Sequence, residues 1–164
     1  MVVLLHVVAI VLVALAAALS VAHALEMPGK MRLDRETYLS DQRIYYPGFT
    51  FGGFSEPLGT AATAVLLYYA PPGTTFWLAL TALLCMFATM TVFWTVTQPA
   101  NKFWTKGLRM SAAGSNFFKT GPGETDSPDD WASVRDRWEW SHVSRAFLTV
   151  AAFLSLLAAL ALDS

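Results

Sequence analysis

A chain of 164 residues has room for one domain, and 55% hydrophobic against 14% charged residues sets it apart from soluble domains, which carry roughly 25% charged residues. The formal net charge of −1 gives no basic face, so nucleic acid is excluded as a partner. The single cysteine, Cys85, rules out an internal disulfide and the Cys-x-x-Cys-His attachment of a c-type haem.

The charges are segregated. No Asp, Glu, Lys or Arg occurs in residues 1–25, 57–101 or 146–162, and all eleven Lys and Arg fall in 30–43 or 102–145. This pattern predicts an all-α fold, a bundle of four transmembrane helices with a polar cap of a short helix plus a loop on one side, forming a single domain over residues 1–164. The first span covers residues 2–25, enough to cross a hydrocarbon core of ~30 Å at about 1.5 Å per residue. Ala22-His23-Ala24 mimics a signal-peptidase site, but no basic segment precedes the apolar run, so the reading is a retained span. Residues 26–47 form the first part of the cap, with Asp34 capping a short helix that carries Tyr38, Gln42 and Tyr45 or Tyr46 along one face. The second span covers residues 48–70, with Glu56-Pro57 inside it and a kink expected there. Pro71-Pro72-Gly73 then turns the chain into the third span, residues 75–97, which bears Trp77 and Trp94 near its ends as interfacial aromatics.

Residues 98–142 complete the cap. Gln98-Pro99-Ala100-Asn101 ends the third span, and residues 102–126, rich in Gly, Ser and Thr, read as a loop. Ser127-Pro128-Asp129-Asp130 reads as an N-cap, a proline at the first helical position and acids at the positive end of the dipole. The helix starting there continues into the last span, residues 143–162, with its first three turns outside the lipid. Four spans put both termini on one side and the cap on the other, and the Lys/Arg bias assigns the cap to the cytoplasm. His6 reads as interfacial or packed, and Cys85 as a buried structural thiol.

One constellation carries chemistry. His23 precedes Glu26 by three residues and Glu139 precedes His142 by three, so each pair shares a helix face. The two helices run antiparallel, and both histidines lie roughly 30 Å from the opposite surface at 1.5 Å per residue. Two imidazoles and two carboxylates then meet in a pseudo-twofold set, with Glu56 as a further acid at membrane depth. Such donors suit one or two ions of Fe, Cu, Mn or Zn, and facing Glu-x-x-His helices are what carboxylate-bridged di-metal bundles use. Ligation of a b-type haem by His23 and His142, and a purely structural cluster that docks the cap, are the competing readings. Around the cluster, Trp138, Gln42, Tyr46, Asn101 and Arg145 are candidate substrate-binding residues. Asn101 would orient a ligand or a carboxylate, and Trp138 and Trp140 would serve as a belt or as walls for an apolar substrate.

Several motifs in order resemble a known group: Ala22-His23-Ala24-Leu25-Glu26-Met27-Pro28-Gly29-Lys30-Met31, Tyr38-Leu39, Gln42-Arg43-Ile44-Tyr45, Phe93-Trp94-Thr95, Pro99-Ala100-Asn101 and Arg137-Trp138-Glu139-Trp140-Ser141-His142. They resemble bacterial members of the anthrone-oxygenase-like family of small four-helix membrane proteins. The chain departs from that pattern at Ser55-Glu56-Pro57 and in a longer insert at residues 107–123. The resemblance implies a four-helix protein of the bacterial inner membrane and, through fungal relatives, oxygenation of polycyclic aromatic ketones. Two functions follow as expectations. One is an oxygenase, metal-dependent or cofactor-free, acting on an apolar aromatic or isoprenoid-like substrate reached from the lipid bilayer. In its metal-free form Glu139 or His142 would be the base that deprotonates an acidic carbon. The other is a non-catalytic accessory subunit of a larger membrane complex or homo-oligomer.

Overall fold

The computed structural model describes residues 2–45, 47–104 and 131–163, and every regular element among them is helical. Helix α1 (Val2–Lys30) is followed by the short α2 (Arg35–Asp41), a 3-10 turn (Gln42–Tyr45), α3 (Gly48–Gly53) and α4 (Ser55–Tyr69). Helix α5 (Thr74–Val92) runs through a π-helical turn (Phe93–Thr97) into α6 (Gln98–Trp104), and α7 (Trp131–Asp163) ends the described chain. The loop expected over residues 102–126 begins as helix instead, since α6 runs to Trp104; the rest of it, the cap at Ser127-Pro128-Asp129-Asp130 and Tyr46 lie outside the described residues.

Three helical stretches among these residues are long and apolar enough to cross a membrane: Val2–Lys30, Thr74–Lys102 and Trp131–Leu162. Helix α4 has 15 residues and spans only about 22 Å. It is separated from α3 at Phe54. Pro57 accounts for the break, because it has no N–H to offer the Gly53 carbonyl one turn earlier.

Helices α1, α4, α5 and α7 form a ring, each packed on the next and α7 closing back on α1. Neighbours run antiparallel: Gly59 of α4 meets Val13 of α1, Thr60 of α4 meets Met90 of α5, and Thr97 meets Ser141 of α7. The distribution of side chains is that of a protein solvated by lipid. Ala9, Ala16, Ala79, Ala82, Ala152 and Ala159 fill the interior, whereas Leu4, Val11, Leu84, Phe87, Phe147 and Leu154 face out. In lipid, burial of a leucine gains little, and small residues let helix backbones approach. Trp77 and Trp94 also face outward, and Cys85 is only partly buried against the core. Hydroxyls within the helices are satisfied locally: Thr60, Thr63, Thr89 and Thr149 each donate to the carbonyl four residues back.

Helices α4 and α1 approach closely at Gly59, where a Cβ would lie 3.2 Å from Val13 Cγ2 and 3.4 Å from the Val13 backbone nitrogen. Gly59→Leu is therefore expected to push α4 off α1 and destabilise the fold by about 1–3 kcal/mol, the usual cost of overpacking. Thermal unfolding in detergent, followed by circular dichroism, would show a lowered midpoint; an unchanged one would mean the helices part there without cost. At the other end Gly73, with φ of 143°, occupies backbone space closed to L side chains and makes the turn expected at Pro71-Pro72-Gly73.

On the cap, Asp34 is the N-cap of α2, accepting from the Thr37 N–H at 2.8 Å. That bond also holds the Asp34 carboxyl below the usual carboxylate range. Tyr38, fully buried, packs with Ala100, Val134 and Trp138 and fastens α2 over the ends of α6 and α7.

Candidate functional site

The polar residues singled out in the sequence meet where the cap joins the ring. Helix α1 does not stop where its charge-free run stops but continues through Pro28 to Lys30. Proline this close to the C-terminus removes only one hydrogen bond, from the Ala24 carbonyl. The extra turn brings Lys30 above Glu26, four residues away, with Nζ 2.9 Å from Glu26 Oε2.

His23 and His142 come together, their ring centroids 4.1 Å apart. Aromatic rings surround them: Tyr45 and Phe49 lie 4.5 and 4.6 Å from His23, and Trp138 lies 4.3 Å from His142 and 5.2 Å from His23. Trp138 is buried while Trp140, two residues on, faces out, so α7 presents one tryptophan to the cluster and one to the exterior. Asn101 orients that indole, accepting from Trp138 Nε1 at 2.7 Å and donating to Gln98 Oε1 at 3.2 Å. Glu26, Tyr45 and Phe49 are partly exposed and form the rim. Gln42 is buried beneath α2 with its Nε2 unbonded.

The carboxylates are not arranged around a common point. Glu26 pairs with Lys30 and accepts from the Tyr45 hydroxyl, and its nearest approach to His23 Nδ1 is 3.8 Å. Glu139 accepts from the Tyr38 hydroxyl at 2.8 Å through Oε1, with Lys30 Nζ 3.9 Å from the same oxygen. Burial, and then each carboxylate, push both tyrosine hydroxyls well above the ordinary phenol range, so they remain donors. Glu56, at the start of α4, is paired with Arg145 of α7. Among the described residues, no group of three or more His, Cys, Asp or Glu side chains is placed to hold one metal ion.

Arg145 does a second thing. Its Nη1 lies 3.2 Å from His142 Nδ1, and a guanidinium has only donors. Nδ1 must then be the accepting nitrogen, which leaves the proton of the neutral ring on Nε2. Beside the Arg145 Nε, two further buried atoms on this face of α7 have no hydrogen-bond partner: His142 Nε2 and Glu139 Oε2. Glu139 is wholly inaccessible. A donor and an acceptor thus stand one turn apart in a buried site, both without a partner from the protein.

Next to this cluster the π-helical turn widens the helix, with Gln98 N–H bonding the Phe93 carbonyl five residues back. It places Thr97 2.8 Å from Ser141 and the Phe93 ring 5.1 Å from the Arg145 guanidinium. Such turns recur at functional sites. Lys30 and this turn are absent from the candidates drawn from sequence; the four-residue spacing of Glu26 and Lys30 was the available signal for the first.

Among the described residues, lipid-facing helices with a buried His/Glu cluster at one end define a small membrane protein with a polar head. The chain belongs to the anthrone oxygenase family, whose sequence pattern matches residues 42–155. That match takes in Glu56, Glu139, His142 and Arg145 and begins after His23, Glu26 and Lys30. Neither a curated protein nor a solved structure matches the chain.

Proposed function

We propose that the chain is a membrane-embedded oxygenase that oxidises an apolar aromatic ketone, taken from the bilayer, at an acidic methylene. The observation that carries this reading is the pair of open groups on α7, Glu139 Oε2 and His142 Nε2–H. Residues three apart on a helix face stand about 5–6 Å apart at Cβ, so one ring system can offer a C–H to the carboxylate and its carbonyl oxygen to the imidazole. Glu139 acts as the base and His142 as the donor to the enolate oxygen that develops. Dioxygen then adds at the carbanion carbon, and the hydroperoxide loses water. The balance is one methylene plus O2 giving one carbonyl plus water. Trp138, Tyr45 and Phe49 supply the apolar walls, and Arg145 holds the His142 tautomer.

Residues 48–69 are the fourth crossing, an interrupted helix of 22 residues that reaches about 33 Å if α3 and α4 are nearly coaxial. The cap lies on the cytoplasmic side of a bacterial inner membrane, because Lys and Arg are confined to that end.

A second reading is a metal-assisted version of the reaction, with Fe, Cu, Mn or Zn on His23 and His142. The open His23 Nδ1 and His142 Nε2 favour it; the cations Lys30 and Arg145 beside the rings, and the carboxylates turned to them, oppose it. The test is oxygen uptake and quinone formation from anthrone by detergent-purified protein, with its metals measured by plasma mass spectrometry. Turnover by metal-free protein is the expected result. Turnover that follows a stoichiometric metal selects the second reading. No turnover with or without added metal overturns both and leaves a non-catalytic subunit.

A further inference from the structure

Lys30 has no part in proton abstraction, yet its side chain is buried, at 4% exposure. Burying a cation is costly unless something in the site uses its charge. Its Nζ lies 4.6 Å from the Tyr45 ring centre and 5.0 Å from that of Trp138, the same two rings that wall His23. One carboxylate contact, to Glu26, is close, and the second, to Glu139, is 3.9 Å. Glu26 takes one of the ammonium's three donors, which leaves two without a close acceptor. Arg145, buried as well, is turned to Glu56 and His142.

We infer that Lys30 is the cation that takes up the negative charge of reduced dioxygen at the carbon deprotonated by Glu139. The inference rests on the oxygenase reading above. Its ground is position: the carbon whose proton Glu139 removes must sit at that carboxylate, and Lys30 is the cation beside it, with Nζ 3.9 Å from Glu139 Oε1. The carbanion's electron pair forms the new C–O bond, dioxygen is reduced to a peroxide, and the charge on the outer oxygen falls opposite Nζ. A proton passes from Nζ to that oxygen, and Nζ regains one from Glu139, which took it from carbon. One C–H and one O2 become one C–O–O–H, with nothing left over. An ammonium held between two aromatic faces keeps its charge in a site from which water is largely excluded, where its field acts most strongly.

The two half-reactions separate experimentally. Without oxygen, Glu139 and His142 alone should exchange the methylene hydrogens of anthrone for deuterium; with oxygen, the same protein should consume it. Lys30→Met is expected to keep anaerobic exchange within a few-fold of wild type while kcat/KM for oxygen falls about 10²–10³-fold, as for the loss of one charge-stabilising donor. Lys30→Arg, which keeps the charge, should recover a substantial part of it. Retained exchange also shows that the variant is folded. Oxygen kinetics unchanged in Lys30→Met, or exchange and oxygen uptake lost together, would overturn the assignment to Lys30 while wild-type turnover still supports the oxygenase. A wild-type protein that neither exchanges nor consumes oxygen would overturn both.

Discussion

Glu139→Gln should abolish turnover, lowering kcat by about 10²–10⁴-fold, the range that a positioned base contributes, while the protein still inserts and unfolds at nearly the wild-type temperature. The amide is isosteric, and its oxygen can still accept from Tyr38, which bonds Glu139 Oε1 at 2.8 Å, so α2 stays docked on α7. What disappears is the basic oxygen, Oε2, which has no partner. Anaerobic deuterium exchange into anthrone is the decisive measurement, since it reports proton abstraction and nothing after it. Exchange at the wild-type rate in Glu139→Gln would remove Glu139 as the base. His142→Ala should behave differently. It deletes the donor to the enolate oxygen and not the base, so exchange slows by about 10²–10³-fold, and substrates with more acidic methylenes should suffer less.

Much of this arrangement was legible in the sequence, and for physical reasons. Helical rise is the same in every helix, so counting from Val2 to His23 and from Leu162 back to His142 puts the two imidazoles at one height, and their rings are 4.1 Å apart. The absence of charge over residues 1–25, 57–101 and 146–162 marks what faces lipid, and the three long apolar helices correspond to three of the four expected spans. The second span is less plain because Pro57 interrupts it, and the described helices there are six and 15 residues long. The partners of the acids were not legible. Spacing shows that Glu26 and Glu139 share a face with a histidine, but a carboxylate near a histidine can serve a metal or a cation. The hydroxyl that meets Glu139 is 101 residues away in sequence. Lys30 was hidden by the reading that the first span ends with its charge-free run, although a helix continues as long as its backbone bonds are satisfied. Asn101 and Arg145, expected to touch substrate, are turned to Trp138 and to Glu56 and His142. The π-helical turn precedes Pro99, whose missing N–H leaves the Thr95 carbonyl without its ordinary donor. In the sequence that proline has the mark of a helix stop, whereas the helix widens by one residue and carries on.

The Glu56–Arg145 pair gives the largest effect on stability. Both side chains are buried, they join α4 to α7 across the ring, and each is the other's counter-ion. Glu56→Ala should destabilise the protein by about 3–5 kcal/mol, the cost of leaving a buried charge without its partner, and thermal unfolding in detergent would show it. Arg145→Met alone strands Glu56 and should cost a similar amount. The double variant, Glu56→Leu with Arg145→Met, leaves no uncompensated charge and should regain most of the loss, because a buried ion pair is close to neutral against apolar residues of similar volume. Stability need not bring activity back. Without Arg145 nothing fixes the accepting nitrogen of His142, whose Nδ1 lies 3.2 Å from Nη1, and the imidazole can turn its lone pair, not its N–H, toward the enolate oxygen. A double variant as stable as wild type but with turnover reduced at least about tenfold would show that the pair is retained to set the tautomer; full turnover would assign it to the fold alone.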